Sequence, residues 1–275
     1  MNDLRARIAA IVERDRAQQP SRPGENGGTG RGPPRDGAPA GGRGVHRRVK
    51  RVSVARAVPR FGHTIRLMDF QSDRDQMVRD LRRMGIKDER VLAAMAKVPR
   101  ELFVRDEDVD VAYGDHALGI AEGQTISQPY VVARMTELLR VESTHYVLEV
   151  GTGSGYQAAV LGELARHVVT VERHVPLADR ASALLAELGY ENVRVIAGDA
   201  SIGYPPDAPY DRILVTAASP GIAPELVRQC APDGLIVAPV GDQEMQHLVV
   251  RYPDGHETRH GAVKFVPLRG RAGFL

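Results

Sequence analysis

The chain has 275 residues, 43% hydrophobic and 26% charged, with one cysteine, no tryptophan and a formal net charge of +2. That composition fits a globular protein of one large or two small domains; the lone Cys230 excludes an internal disulfide framework or a cysteine-cluster metal site, and no apolar run of about 18 residues reads as a membrane span. Charge is uneven: residues 1–60 hold 14 basic and 5 acidic residues, which leaves 23 and 30 for the rest, so a head of +9 precedes a body of −7.

Charges recurring from Asp3 to Arg16 interrupt any apolar signal region, so a cytosolic location is expected. Leu4, Ile8, Ile11 and Val12 share one face of a short amphipathic helix. From Pro20 to Gly44, 9 Gly and 5 Pro among 25 residues leave too little apolar surface to offset ordering entropy, and disorder is predicted. The basic run His46 to Arg51 reads as a solvated tail, because no aromatic residues are interleaved to stack on bases. Residues 1–65 are therefore read as a basic, disordered extension and 66–275 as one domain, with helices and a substrate loop over 66–140 and a cofactor-binding core over 145–275.

Within that domain the apolar spacing predicts helices over Gln76–Met84 and Asp88–Val98, separated by Gly85 as a stop signal. Residues 105–128 read as a long loop, and Pro129–Leu139 as a helix with proline in its first turn. From residue 145, short apolar strands (Tyr146–Val150, Val168–Glu172, Val193–Ala197, Arg212–Thr216, Gly234–Pro239) alternate with helical stretches near 156–166, 176–189 and 221–230. Such alternation implies a parallel sheet covered on both faces, a doubly wound α/β fold of Rossmann type. Gln246–Tyr252 and Ala262–Leu268, joined through Pro253-Asp254-Gly255, read as a closing antiparallel hairpin.

The first of these strands runs into Gly151-Thr152-Gly153-Ser154-Gly155 and then a helix. Glycines allow the backbone to turn sharply and approach a ligand, and the helix start offers free N–H donors. The Gly-x-Gly-x-Gly spacing differs from the Gly-x-Gly-x-x-Gly of dinucleotide dehydrogenases. Glu172 ends the next strand, where a carboxylate can accept from ribose hydroxyls, and Asp199 follows the third, beside an expected adenine amino group. Loop and two acids together form the pattern of S-adenosyl-L-methionine-dependent methyltransferases.

Gly123-Gln124-Thr125-Ile126-Ser127-Gln128-Pro129-Tyr130, continued by Val131 to Met135, closely resembles the signature of protein-L-isoaspartate O-methyltransferases. Asp88–Glu101 is similar to that family's N-terminal helix, Asp211–Ala218 and Leu235–Gly241 to its fourth and fifth strands, and Phe265–Leu268 to its last. The resemblance spans residues 70–275. It implies methyl transfer from S-adenosyl-L-methionine to the α-carboxylate of L-isoaspartyl residues in damaged proteins and peptides, whose ester collapses to a succinimide and returns in part to aspartate. It places Ser127 at the active-site serine, Gly151, Thr152, Gly153, Ser154, Gly155, Glu172, Asp199 and Ala200 against the cofactor, and Thr125, Ile126, Gln128 and Thr216 against the substrate. Asp115–Ile120, where the family more usually has prolines, and Asp242–Met245, which replaces a glycine-rich patch, depart from the pattern.

The chemistry fits this reading. A carboxylate with a pKa near 4 is ionised at neutral pH and needs no general base. Ser127 is thus expected to orient the carboxylate, not to attack; no Gly-x-Ser-x-Gly elbow surrounds it. His256-Glu257-Thr258-Arg259-His260 matches a zinc-protease string but lies in hairpin context and is expected to be a solvated polar turn, with no metal. Cys230 is expected to be a packed residue. The rival functions are a methyltransferase acting on nucleic acid or another carboxylate, and a non-catalytic cofactor-binding scaffold on the same fold. Against the first stand the missing Asn-Pro-Pro-Tyr and Pro-Cys segments, so nucleic acid is not an expected partner; without a long apolar run, neither is a membrane. The expected assembly is a monomer.

Overall fold

A computed structural model describes residues 70–274. The head helix, the Gly/Pro-rich stretch and the basic run predicted before residue 66 lie outside the described residues. Helix α1 spans Gln71–Arg83 and α2 spans Glu89–Lys97. The first begins five residues earlier than its apolar spacing predicts. Its opening turns are charged and exposed, and only Met77 and Leu81 are buried, so hydropathy marks just its second half. Gly85 adopts φ 101° and the Ile86 N–H returns to the Leu81 carbonyl at 3.1 Å, a Schellman-type ending. Asp88 caps α2 by accepting from the Arg90 N–H at 2.9 Å.

The predicted loop over 105–128 is more ordered than expected. It contains a 3-10 turn, Asp106–Val111, and a small hairpin of β1 (Leu118–Gly119) with β2 (Thr125–Ile126). The segments are too short for a periodic signal. Helix α3, Pro129–Leu139, follows and ends at Arg140, which takes the left-handed conformation.

Seven strands then form one sheet: β3 (Tyr146–Val150), β4 (His167–Glu172), β5 (Val193–Ala197), β6 (Tyr210–Val215), β7 (Cys230–Gly241), β8 (Gln246–Arg251) and β9 (Glu257–Val263). Their order is β5-β4-β3-β6-β7-β8-β9, with β3 to β7 parallel and β8 and β9 antiparallel. Helices α4 (Tyr156–Gly162), α5 (Val175–Glu187) and α6 (Pro224–Gln229) connect the parallel strands. Alternate residues of each strand enter different cores. Val147, Val168, Leu214 and Val237 pack with Met135 and Leu139 of α3, while Leu148, Val169, Ile213 and Ile236 pack with Leu226 of α6. Both faces are therefore apolar and covered, as a parallel sheet requires.

Two strands differ from expectation. β7 starts four residues early, because Cys230, expected at a helix end, pairs with Tyr210 across a bulge and residues 231–233 continue the strand. The last strand is Glu257–Val263, not Ala262–Leu268. It is an exposed edge rich in charge, as suits an unpaired sheet margin, and carries no apolar alternation to betray it. The His256–His260 segment is therefore mostly strand, not turn. Residues 264–268 leave the sheet, and Ala218 exchanges backbone bonds with Val266 and Leu268 at 2.8 and 2.7 Å.

Candidate active site

The strand order reverses between β3 and β6, and at the carboxyl ends of such strands, at the switch point, an open α/β sheet presents a crevice. The glycine loop leaves β3 at that place. Gly151, Gly153 and Gly155 have φ of 101°, 54° and 89°, where an L side chain is strained. A Cβ on Gly151 would also lie 2.5 Å from Thr216 Oγ1. The loop is tied down on three sides. Gly151 N–H donates to Val171 O at 2.9 Å, Gly153 N–H to Glu172 Oε2 at 2.9 Å, and Thr216 Oγ1 lies 2.9 and 2.5 Å from the Val150 and Gly151 carbonyls.

The cleft above this loop is lined by Thr125, Ile126, Ser127, Gly151, Thr152, Gly153, Ser154, Glu172 and Thr216, nine of the sequence-predicted residues. Glu172 is nearly buried, and its second oxygen accepts from the His174 N–H at 2.9 Å. Gly155 sits just behind the wall as the N-cap of α4. Gln128 turns away, its amide donating to Asp115 at 3.2 Å. Asp199 and Ala200 do not line the cleft. Asp199 caps the turn Ala200–Ile202, accepting from the Ser201 N–H and hydroxyl at 3.1 and 2.7 Å and from the Arg271 N–H at 3.1 Å, and Ala200 is buried beneath. These bonds hold the Asp199 carboxyl below its usual range against its partial burial. Thr216, expected at the substrate, spends its hydroxyl on the glycine loop.

Residues that sequence reasoning missed complete the walls. Val132 and Met135 face the cleft from α3, one helical turn apart, a spacing that could have shown a shared face. Gln157 enters from α4, and Phe265 and Val266 come from the segment beyond β9. Gln246, wholly buried, receives the Phe265 N–H at 2.8 Å, and Asp242 shapes the preceding turn by accepting from the Glu244 and Met245 N–H groups. The departing segment Asp242–Met245 thus sets up the residue that holds the wall. Asp115, the other departure, accepts the Tyr130 N–H at 2.8 Å and fixes the start of α3.

Beneath the loop lies Glu149, a residue of β3 that no motif marks. It is fully buried; one oxygen lies 2.5 Å from Thr170 Oγ1, itself 2.7 Å from Thr152 Oγ1, and the other has no partner. Burial pushes its carboxyl up to about 8, with repulsion from Glu172 adding and the Thr170 bond opposing. At neutral pH it is mostly uncharged. Cys230 is half-buried, and burial pushes its thiol up to about 11, so thiolate chemistry is not available to it. Among the described residues no group of His, Cys, Asp and Glu could hold a metal ion, and no helix is long and apolar enough to cross a membrane.

Comparison with known proteins decides the family. Residues 72–273 match the family model described as protein-L-isoaspartate(D-aspartate) O-methyltransferase. The chain belongs to the protein-L-isoaspartate O-methyltransferase family. A methyltransferase of that name from Methanoculleus marisnigri is 54% identical over 206 residues, covering 74% of this chain and 94% of the relative. One from Syntrophobacter fumaroxidans is 49% identical over 212 residues, 76% and 99% of the two chains. A solved protein-L-isoaspartate O-methyltransferase superposes with a TM-score of 0.67 at 26% identity, over 73% of this chain and 67% of the other. A Plasmodium falciparum structure described as a complex with S-adenosyl-L-homocysteine shares the fold, with a TM-score of 0.62 at 22% identity over 71% and 98%. The matched region takes in the sheet, its connecting helices and Ser127; residues before 72 lie outside it.

Proposed function

We propose that this protein repairs damaged proteins by methylating the α-carboxylate of L-isoaspartyl residues with S-adenosyl-L-methionine. The observation that carries the reading is convergence: the glycine loop, the Glu172 carboxylate and Ser127 line one cleft at the switch point of a chain in this family. The donor set suits the cofactor. Three left-handed glycines leave the loop without side chains where a ligand must approach, and a carboxylate stands at the end of β4 for ribose hydroxyls. When bound, S-adenosyl-L-methionine supplies a methyl group already activated on sulfonium.

The work left to the chain is placement, since the carboxylate nucleophile is ionised at neutral pH. Ser127 holds that carboxylate through its hydroxyl. Val132, Met135 and Phe265 form an apolar wall that keeps water from competing. Holding reactants in line is worth up to about 7–11 kcal/mol of barrier. Asp199 and Ala200, which do not line the cleft, would serve the cofactor only through the turn that Asp199 caps, and Thr216 would act on the substrate through the loop it bonds. Residues 66–275 act as one catalytic domain that follows the basic extension of residues 1–65 in sequence, in a cytosolic monomer.

The deciding assay is transfer of radiolabelled methyl to an isoaspartyl peptide and to its aspartyl twin. Label on the isoaspartyl peptide alone is expected; label on neither peptide would remove the reading.

A further inference from the structure

Arg100 lies in the 3-10 turn after α2 and is completely buried. A buried guanidinium normally sits against a carboxylate, because desolvating the charge is costly. Among the described residues this one has no ion pair. Its sequence neighbour Glu101 is taken by Arg74 at 3.0 Å and by the Tyr113 hydroxyl. Asp115 is committed to Gln128 and Tyr130. Burial accordingly draws the Arg100 pKa down.

What Arg100 touches instead is the joint of the active site. Nε donates to the Ala112 carbonyl at 2.7 Å, Nη2 donates to the Ser127 carbonyl at 2.8 Å, and Nη1 has no hydrogen-bond partner. The guanidinium carbon lies 4.8 Å from the centre of the Tyr156 ring, the first residue of the helix after the glycine loop. A planar fork that spans two carbonyls and stacks on a ring fixes all three in one geometry, which a flexible ammonium does not. Asp115 grips the next residues of the same segment, so the backbone of Ser127 is held from both sides.

We propose that Arg100 is a positioning residue for methyl transfer: it locks the backbone of Ser127 to the Tyr156 end of the cofactor loop and so aims the serine hydroxyl. This rests on the function proposed above and adds a residue to it. The glycine loop has its own supports in Glu172, Thr216 and Val171, so cofactor binding does not depend on Arg100.

The test is a double-mutant cycle of Arg100→Lys and Ser127→Ala, read by kcat and KM for an isoaspartyl peptide, with S-adenosylhomocysteine affinity measured by calorimetry. In the wild-type background Arg100→Lys is expected to lower kcat about 10-fold or more, a typical scale for a misplaced orienting group. Cofactor-product affinity stays within about threefold. In the Ser127→Ala background the same change costs less than about threefold, because residues that act as a unit are not additive. An equal loss in both backgrounds, or cofactor affinity falling in step with kcat, overturns the proposal. If the lysine variant does not fold, Arg100→Gln, which keeps two donors without the charge, takes its place in the cycle. Wild-type enzyme runs alongside: its failure to label the isoaspartyl peptide would defeat the functional reading itself, whereas activity without coupling defeats only the role of Arg100.

Discussion

Replacing Glu149 with glutamine isolates the cost of a carboxyl buried under the glycine loop. In the folded protein this group titrates near 8, and in the unfolded chain near its ordinary value of 4.5. The folded state therefore holds the proton more tightly, so stability is fully present below about pH 4.5 and falls as pH rises through 8. The distance between those two values corresponds to about 5 kcal/mol in all. Between pH 6 and 8.5 the part lost is about 2–3 kcal/mol by the same linkage. Glutamine cannot ionise. It keeps an acceptor for Thr170 but places an amide where Glu149 Oε1 has no partner, a fixed penalty of about 1–3 kcal/mol. The variant is thus expected to be less stable than wild type at pH 6 yet to lose about 2–3 kcal/mol less on going to pH 8.5. Urea unfolding at several pH values gives both curves, and groups common to the two proteins cancel in the difference. Parallel curves for wild type and Glu149→Gln would refute the buried, neutral carboxyl.

Ser127→Ala removes an orienting hydrogen bond to a charged carboxylate, worth about 1.5–3 kcal/mol, so kcat should drop roughly 10- to 100-fold. S-adenosylhomocysteine affinity measured by calorimetry should hold, and a parallel loss of both would contradict the assignment. Glu172→Gln would turn an amide N–H toward the Gly153 or His174 N–H that Glu172 now accepts. Cofactor-product affinity is expected to weaken about tenfold or more, as for a lost charged acceptor; an unchanged dissociation constant would show that Glu172 does not serve the cofactor. Gly151→Ala forces a side chain at φ 101° and 2.5 Å from Thr216 Oγ1. A stability loss of about 1–3 kcal/mol is expected, with cofactor affinity reduced, and a fully stable variant with native affinity would show that the loop tolerates a Cβ.

Which residues gather at the cleft was written locally. The three glycines, Glu172 at the end of β4, and the Thr125–Ser127 segment just before a proline-started helix are all marked by residue type and short spacing, because turns and strand ends constrain only a few adjacent residues. The parallel core was legible for the same reason: Val147-Leu148 and Ile213-Leu214 are apolar on consecutive positions, as burial on both faces demands. The edge strand Glu257–Val263 was not, since an exposed polar strand is stabilised by backbone pairing that leaves no trace in hydropathy. Nor were the roles of Asp199, Arg100 and Glu149. Asp199 is drawn into the Arg271 backbone from 72 residues away, Arg100 reaches a carbonyl 27 residues on, and Glu149 becomes a neutral acid only because the closed sheet removes its water. Such properties depend on what surrounds a group once the chain has closed over it. Burial and long-range pairing set the energy of a charge, and neither exists before the tertiary fold.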